Sequence, residues 1–144
     1  MNARWSWRLV MVALVGLIAA GCGDPPLEPS PLRDELEQER LRMAPQVGGI
    51  SNEAPHPVDM ATVAAAAQGA MKEAGITLVR TSETAQGNWY LGRSLAGRQV
   101  LVQIQPVVPG TTMIRVTVEG NDSIARAVVG RVLSDTSHAI HDKK

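Results

Sequence analysis

The chain has few aromatic residues and a single cysteine. It contains no phenylalanine, one tyrosine and three tryptophans, and two of the tryptophans, Trp5 and Trp7, belong to an N-terminal apolar region. Little aromatic surface is therefore available for stacking a sugar or a nucleic-acid base, and a core must be built from Val, Ile, Leu, Met and Ala. Because Cys22 is the only cysteine, a metal site built on a cysteine pair is excluded.

An excess of charge of either sign is also missing. The chain carries 14 basic and 14 acidic residues, for a formal net charge of +0, which argues against a nucleic-acid partner. No Gly-x-Ser-x-Gly, His-Glu-x-x-His or P-loop spacing occurs. Glu73, Glu83 and Glu119 fall near the ends of predicted elements, and nothing brings two of them together. The sequence therefore predicts no catalytic residue, no cofactor and no enzyme activity.

Two histidines near the C-terminus give a weak hint of a metal site. His138 and His141 lie three residues apart with Asp135 and Asp142 nearby, so that one side of a helix would present them together. Imidazoles at a helix C-terminus also complement its dipole. We favour the second interpretation and expect no metal.

A short apolar run dominates the N-terminus. Arg4 and Arg8 precede the apolar stretch 9–20, which as a helix would cover only about 18 Å of a hydrocarbon core that is about 30 Å thick. A basic start, a short apolar run and small residues behind it are typical of a cleaved secretory signal. We expect residues 1–21 to be a signal peptide.

The end of this run resembles the lipobox of bacterial lipoproteins. Ala19, Ala20 and Gly21 lead directly to Cys22, although leucine is more usual at the position of Ala19. The resemblance implies cleavage between Gly21 and Cys22 and attachment of diacylglycerol to the Cys22 sulfur, so that acyl chains hold the protein on a lipid bilayer. The alternative is an ordinary secretory signal that leaves Cys22 as a free thiol.

The residue after the cysteine bears on localisation. In enterobacterial lipoproteins an aspartate there retains the protein in the inner membrane, whereas this chain has Gly23 followed by Asp24. The resemblance therefore favours the outer membrane, with the domain facing the periplasm.

Residues 22–57 are expected to be a linker. The run 23–31 is rich in proline and favours an extended spacer. A short charged helix is predicted over 32–43, either as a solvated, partly helical linker or as a helix that docks a partner. Residues 46–57 contain two glycines and two prolines and are predicted to be flexible.

The folded domain is expected over residues 58–144. The apolar spacing from Val58 onward predicts a helix with Asp59 as its N-cap and Gly75 as its stop. A second helix is predicted after the capping candidates Asn121, Asp122 and Ser123. Between the helices, four segments alternate or carry strand-forming residues: Ile76 to Thr81, Asn88 to Arg93, Arg98 to Gln105 and Thr112 to Glu119.

This order, α-β-β-β-β-α, predicts an α+β fold. Strands with one apolar and one polar face are typical of an antiparallel sheet, and two amphipathic helices can cover its apolar face. We therefore expect a two-layer sandwich in which a four-stranded antiparallel sheet carries two helices on one face. Gly92 is taken to mark a bulge in the second strand.

The polar face of that sheet is the expected interaction surface. Trp89 shares strand parity with Leu91 and is predicted to be core, which leaves the next residue exposed. The candidate surface residues are Tyr90, Arg93, Gln99, Gln103 and Arg115.

The region from Val58 to Ile140 resembles a family of small bacterial lipoproteins of unknown function. The resemblance is carried by Lys72-Glu73-Ala74-Gly75, by Gly87 and Gly97 before strands, and by Gly120-Asn121-Asp122 before the last helix. It implies a small α+β domain without catalytic residues. The order of elements is also similar to the helix-grip domains of the lipoprotein C subunit of the outer-membrane β-barrel assembly machine, which is a likeness of fold alone.

Together these features predict a membrane-anchored envelope lipoprotein with a non-catalytic interaction or structural domain. Its expected partners are the bilayer, through Cys22, and an envelope protein. The alternative function is a periplasmic module that binds a small ligand or a metal.

Overall fold

A computed structural model describes residues 43–142 of the chain. The predicted signal peptide, the Gly21–Cys22 cleavage site, the lipidation site Cys22 and the predicted helix up to residue 42 lie outside the described residues. The elements run in the order β1 (Gly49–His56), α1 (Met60–Glu73), β2 (Thr77–Thr84), β3 (Gly87–Arg93), β4 (Gln99–Val108), β5 (Thr111–Glu119) and α2 (Ser123–His141).

The strands form one antiparallel sheet in the order β1-β5-β4-β3-β2. The α+β class and the two helices are confirmed within the described residues, but the prediction of four strands is wrong, because β1 adds a fifth. The prediction that residues 46–57 are flexible fails for the same reason. β1 lies at the sheet edge and pairs only with β5, a position in which Pro55 is tolerated because its missing N–H can face away from the ladder.

Helix α1 begins and ends where its sequence predicts. The Asp59 carboxylate accepts a hydrogen bond from the Thr62 backbone N–H at 2.7 Å, which satisfies one of the free N–H groups of the first turn. At the other end Gly75 adopts a φ of 71°, and the Ile76 N–H reaches back to the Met71 carbonyl at 2.9 Å. This left-handed stop turns the chain directly into β2.

Both helices cover the same face of the sheet. α1 and α2 contact each other, α2 also contacts β1 and β5, and α1 contacts β4 and β5. From the sheet, the core takes alternate residues of the three central strands: Tyr90, Val100, Val102, Ile104, Ile114, Val116 and Val118. The predicted two-layer arrangement with both helices on one face is therefore found, with five strands beneath them. We call the other side of the sheet, which neither of the two described helices covers, the open face.

Gly92 has a different role from the predicted bulge. The register irregularity lies in the facing strand, between Leu78 and Arg80 of β2. Gly92 is buried on the helix side, and a Cβ built there would lie 2.5 Å from Ile76 Cγ2 and 3.2 Å from Met71 Cε. The position needs glycine because the end of α1 packs directly on the β3 backbone.

Candidate functional site

Four of the five predicted surface residues share the open face. Arg93 and Arg115 are exposed, and Gln99 and Gln103 are half-buried. Their strands are held in register by β3–β4 and β4–β5 pairing, in which Gln103 stands opposite Arg115. The surface is thus built on central strands of the sheet, whose backbone positions are fixed on both sides.

Tyr90 is a correction to the predicted surface. It is 1% exposed and belongs to the core beneath the helices. Its hydroxyl group has partners inside the protein, because it donates to Glu83 Oε1 at 2.8 Å and accepts from Asn88 Nδ2 at 3.4 Å. Burial, followed by the bond to Glu83, raises the pKa of Tyr90.

Trp89 therefore lies on the side opposite to the one that strand parity suggested. It is 5% exposed and so is buried as predicted, but it stands outside the core cluster and on the open face. The Arg80 guanidinium lies over its ring, 5.5 Å from the centroid, in an arrangement that is attractive for a cation and an indole. Arg80 was not among the predicted surface residues, and the alternation of β2 and β3 was the signal that could have identified it.

A polar row crosses the open face from β3 to β1. Trp89, Gln103, Arg115 and Glu53 are successive cross-strand partners. Arg115 donates from Nε and Nη2 to Glu53 Oε2 at 3.0 and 2.7 Å, so the guanidinium is held against the edge strand. In the next row, the Thr117 hydroxyl donates to Ser51 Oγ at 3.0 Å. Glu53 was missed because β1 was not predicted as a strand.

A second charged contact ties the sheet to α2. Asp122 caps the helix by accepting from the Ala125 N–H at 3.0 Å, and its carboxylate also pairs with the Arg98 guanidinium. Arg98, followed by the Ala125 N–H, holds the pKa of Asp122 below its usual range. Gly120 leaves room for this contact, since a Cβ there would lie 2.3 Å from Arg98 Nη1. Arg98 was also missed by the sequence analysis.

His56, which the sequence placed in the linker, is the last residue of β1. It is 5% exposed, and its Nε2 has no hydrogen-bond partner within residues 43–142. Burial, followed by the charge of the nearby His141 at the end of α2, lowers the pKa of His56. A neutral imidazole at this junction is therefore favoured in the folded protein.

The described surface offers shallow clefts. One cleft, of about 470 Å³, lies between the start of α1 at Asp59 and Met60 and the segment 106–112 of the β4–β5 hairpin. Among the described side chains, no three His, Cys, Asp or Glu residues come close enough to hold a metal ion. In the part of the chain from 43 to 142, no helix is both long and apolar enough to cross a membrane.

In sequence comparisons, no family model matches the chain, and no curated protein is significantly similar to it.

Proposed function

We propose that this chain is a membrane-anchored envelope lipoprotein whose domain binds an envelope protein through the open face of its sheet. The observation that carries the proposal is the polar row Trp89, Gln103, Arg115 and Glu53. Its residues are held in place by the pairing of β3 with β4, of β4 with β5 and of β5 with β1. A surface of fixed arginine and glutamine groups suits protein recognition, since such groups give directional hydrogen bonds at little cost in conformational entropy.

The anchor is the second part of the proposal. Gly21 and Cys22 fit the lipobox pattern, and two or three acyl chains hold a protein on a bilayer far more firmly than one. On this proposal the domain is not an enzyme: it works as a binding module held at the periplasmic side of the outer membrane.

Lipidation is tested by metabolic labelling with a fatty-acid analogue. The wild-type chain should incorporate the label and a Cys22→Ala variant should not, because no other thiol is available. Equal labelling of the two chains would refute lipidation at this residue.

The binding surface is tested by photo-crosslinking in intact cells. A photoreactive residue at Gln103 or Arg93 should capture the same protein of defined mass. The matched control is Ala127, which is exposed on α2 and therefore lies in the other layer of the sandwich. Capture of the same species at Ala127, or no reproducible species at Gln103 and Arg93, would count against the open face.

A further inference from the structure

The end of the β4–β5 hairpin projects beyond the body of the sheet. Pairing of β3 with β4 ends at Ile104, and pairing of β1 with β5 ends at Thr112. Beyond these residues only β4 and β5 face each other. All six residues of 105–110, which we call the hairpin tip, are exposed.

The hairpin tip is apolar and uncharged. Its sequence is Gln-Pro-Val-Val-Pro-Gly, and no charged residue occurs anywhere between Arg98 and Arg115. Val107 and Val108 are 57% and 55% exposed. Two neighbouring exposed valines in a segment without charge form a small apolar surface that is open to contact, whereas exposed apolar residues elsewhere on a protein are usually single and scattered.

A tight turn closes the hairpin tip. Pro109 and Gly110 connect the strands, and Gly110 adopts a φ of 79°, which fits the third position of a type II turn with proline before it. Val108 pairs with Thr111 across the turn, after an irregularity in the register between Pro106 and Val108. Pro106 and Pro109 have no backbone N–H, so the tip has fewer polar backbone groups to move out of water than other residues would give it.

We propose that the hairpin tip inserts into the surface of the lipid bilayer to which the chain is anchored. This inference rests on the proposed lipid anchor at Cys22. The uncharged, apolar composition of the tip favours a lipid surface, because the boundary between headgroups and acyl chains accepts an apolar segment without charges more readily than one with charges. Asp59, which lines the cleft beside the tip, is the acidic neighbour and favours a zwitterionic surface over an anionic one.

The length of the tether allows this contact. Residues 23–42 reach up to about 70 Å when extended, while β1, which runs from Gly49 toward the tip, has eight residues and spans about 27 Å. Tethering also raises the effective concentration of the membrane to the millimolar range. A contact of the hairpin tip with the membrane that is too weak to bind an untethered protein is then populated. This contact would determine the orientation of the open face relative to the membrane.

Other exposed apolar residues are placed less favourably for lipid. Leu95 is 90% exposed, but it is a single residue between Arg93 and Arg98, at the opposite end of the sheet from the hairpin tip. Leu78 and Val79 on β2 are followed directly by Arg80. Leu95 therefore provides the matched control for a test of the hairpin tip.

The test uses the mature chain, residues 22–144, coupled through its only thiol to a maleimide lipid in phosphatidylcholine vesicles. Bromine on the acyl chains quenches tryptophan that enters the bilayer. In the Val108→Trp variant we expect the added emission to fall by about half in brominated vesicles, since interfacial insertion reaches roughly 5–10 Å into the boundary. The Leu95→Trp variant should be quenched no more than the parent, whose emission comes from Trp89.

A second change makes the result specific. Val107→Glu in the Val108→Trp background should abolish the quenching, because a carboxylate next to the probe opposes burial. Equal quenching of Val108→Trp and Leu95→Trp, or quenching that survives Val107→Glu, overturns the proposal. An unquenched tip that instead crosslinks a protein in cells would also overturn it. Since chemical coupling replaces biological lipidation, failure here is distinguishable from failure of labelling at Cys22.

Discussion

The contact between α1 and β3 at Gly92 gives a sharp prediction about stability. Gly92→Ala adds a Cβ that must lie 2.5 Å from Ile76 Cγ2 and 3.0 Å from the Thr77 carbonyl oxygen. The first contact involves a buried side chain and the second involves backbone, so neither can give way freely. Inserting one carbon into a packed core costs about 1–3 kcal/mol, while replacing glycine in a strand recovers about 0.5–1 kcal/mol.

The two terms leave a net loss of about 0–2.5 kcal/mol in the free energy of unfolding, with a central value of about 1 kcal/mol. For a domain of this size the central value corresponds to a fall in Tm of about 4–8 °C. The assay is urea unfolding of the mature chain, made soluble by Cys22→Ser and followed by far-UV circular dichroism. The midpoint should fall while the dependence of the free energy on urea concentration stays the same.

Two helix glycines supply the controls. A Cβ at Gly69 in α1 or at Gly130 in α2 meets nothing within 4 Å, so each change to alanine should raise stability by about 0.5–1 kcal/mol through helix propensity alone. If Gly92→Ala raised stability as these two changes do, the described packing of the α1 C-terminus on β3 would be wrong.

Two further predictions concern buried polar groups. Because the pKa of His56 is lowered in the folded protein, its contribution to stability is present above pH about 6.5 and is lost as pH falls below that value toward the folded pKa. His56→Gln should therefore flatten the fall in unfolding free energy between neutral and acid pH. His138→Gln, a change at an exposed position, is the control, and a slope for His56→Gln no flatter than that of the control would contradict the prediction. Tyr90→Phe removes the hydroxyl that donates to Glu83, and it should lower the free energy of unfolding in urea by about 0.5–1.5 kcal/mol without reducing crosslinking at Gln103. Weaker crosslinking at unchanged stability would instead indicate that Tyr90 is part of the binding surface.

The elements that the sequence predicted well are those whose signals are local. The cap at Asp59 and the stop at Gly75 depend on residues within one helical turn, and both are found where predicted. β4 and β5 alternate cleanly because one face of each is buried along most of its length. These patterns are readable without knowing which strand lies next to which.

The parts that were missed depend on distant partners. β1 has an exposed, proline-containing sequence, and only its pairing with β5, more than fifty residues later, makes it a strand. Glu53 could not be recognised as a partner of Arg115 before that pairing was known. On β3 both faces carry a large aromatic residue, so the parity with Leu91 that assigned Trp89 to the core was a poor guide, and it is Tyr90 that lies in the core, with its hydroxyl bonded to Glu83.

The edge position of β1 also has a mechanical consequence. The chain enters the domain through β1, whose eight residues from Gly49 to His56 are antiparallel to β5 in unbroken register. If the proposed anchor and a bound partner pull apart along the strand axis, the load falls on this ladder in shear, and several hydrogen bonds must break together before the strand slides. β1, which was not predicted from the sequence, would then be the strand that carries the tension between the membrane and the partner bound to the sheet.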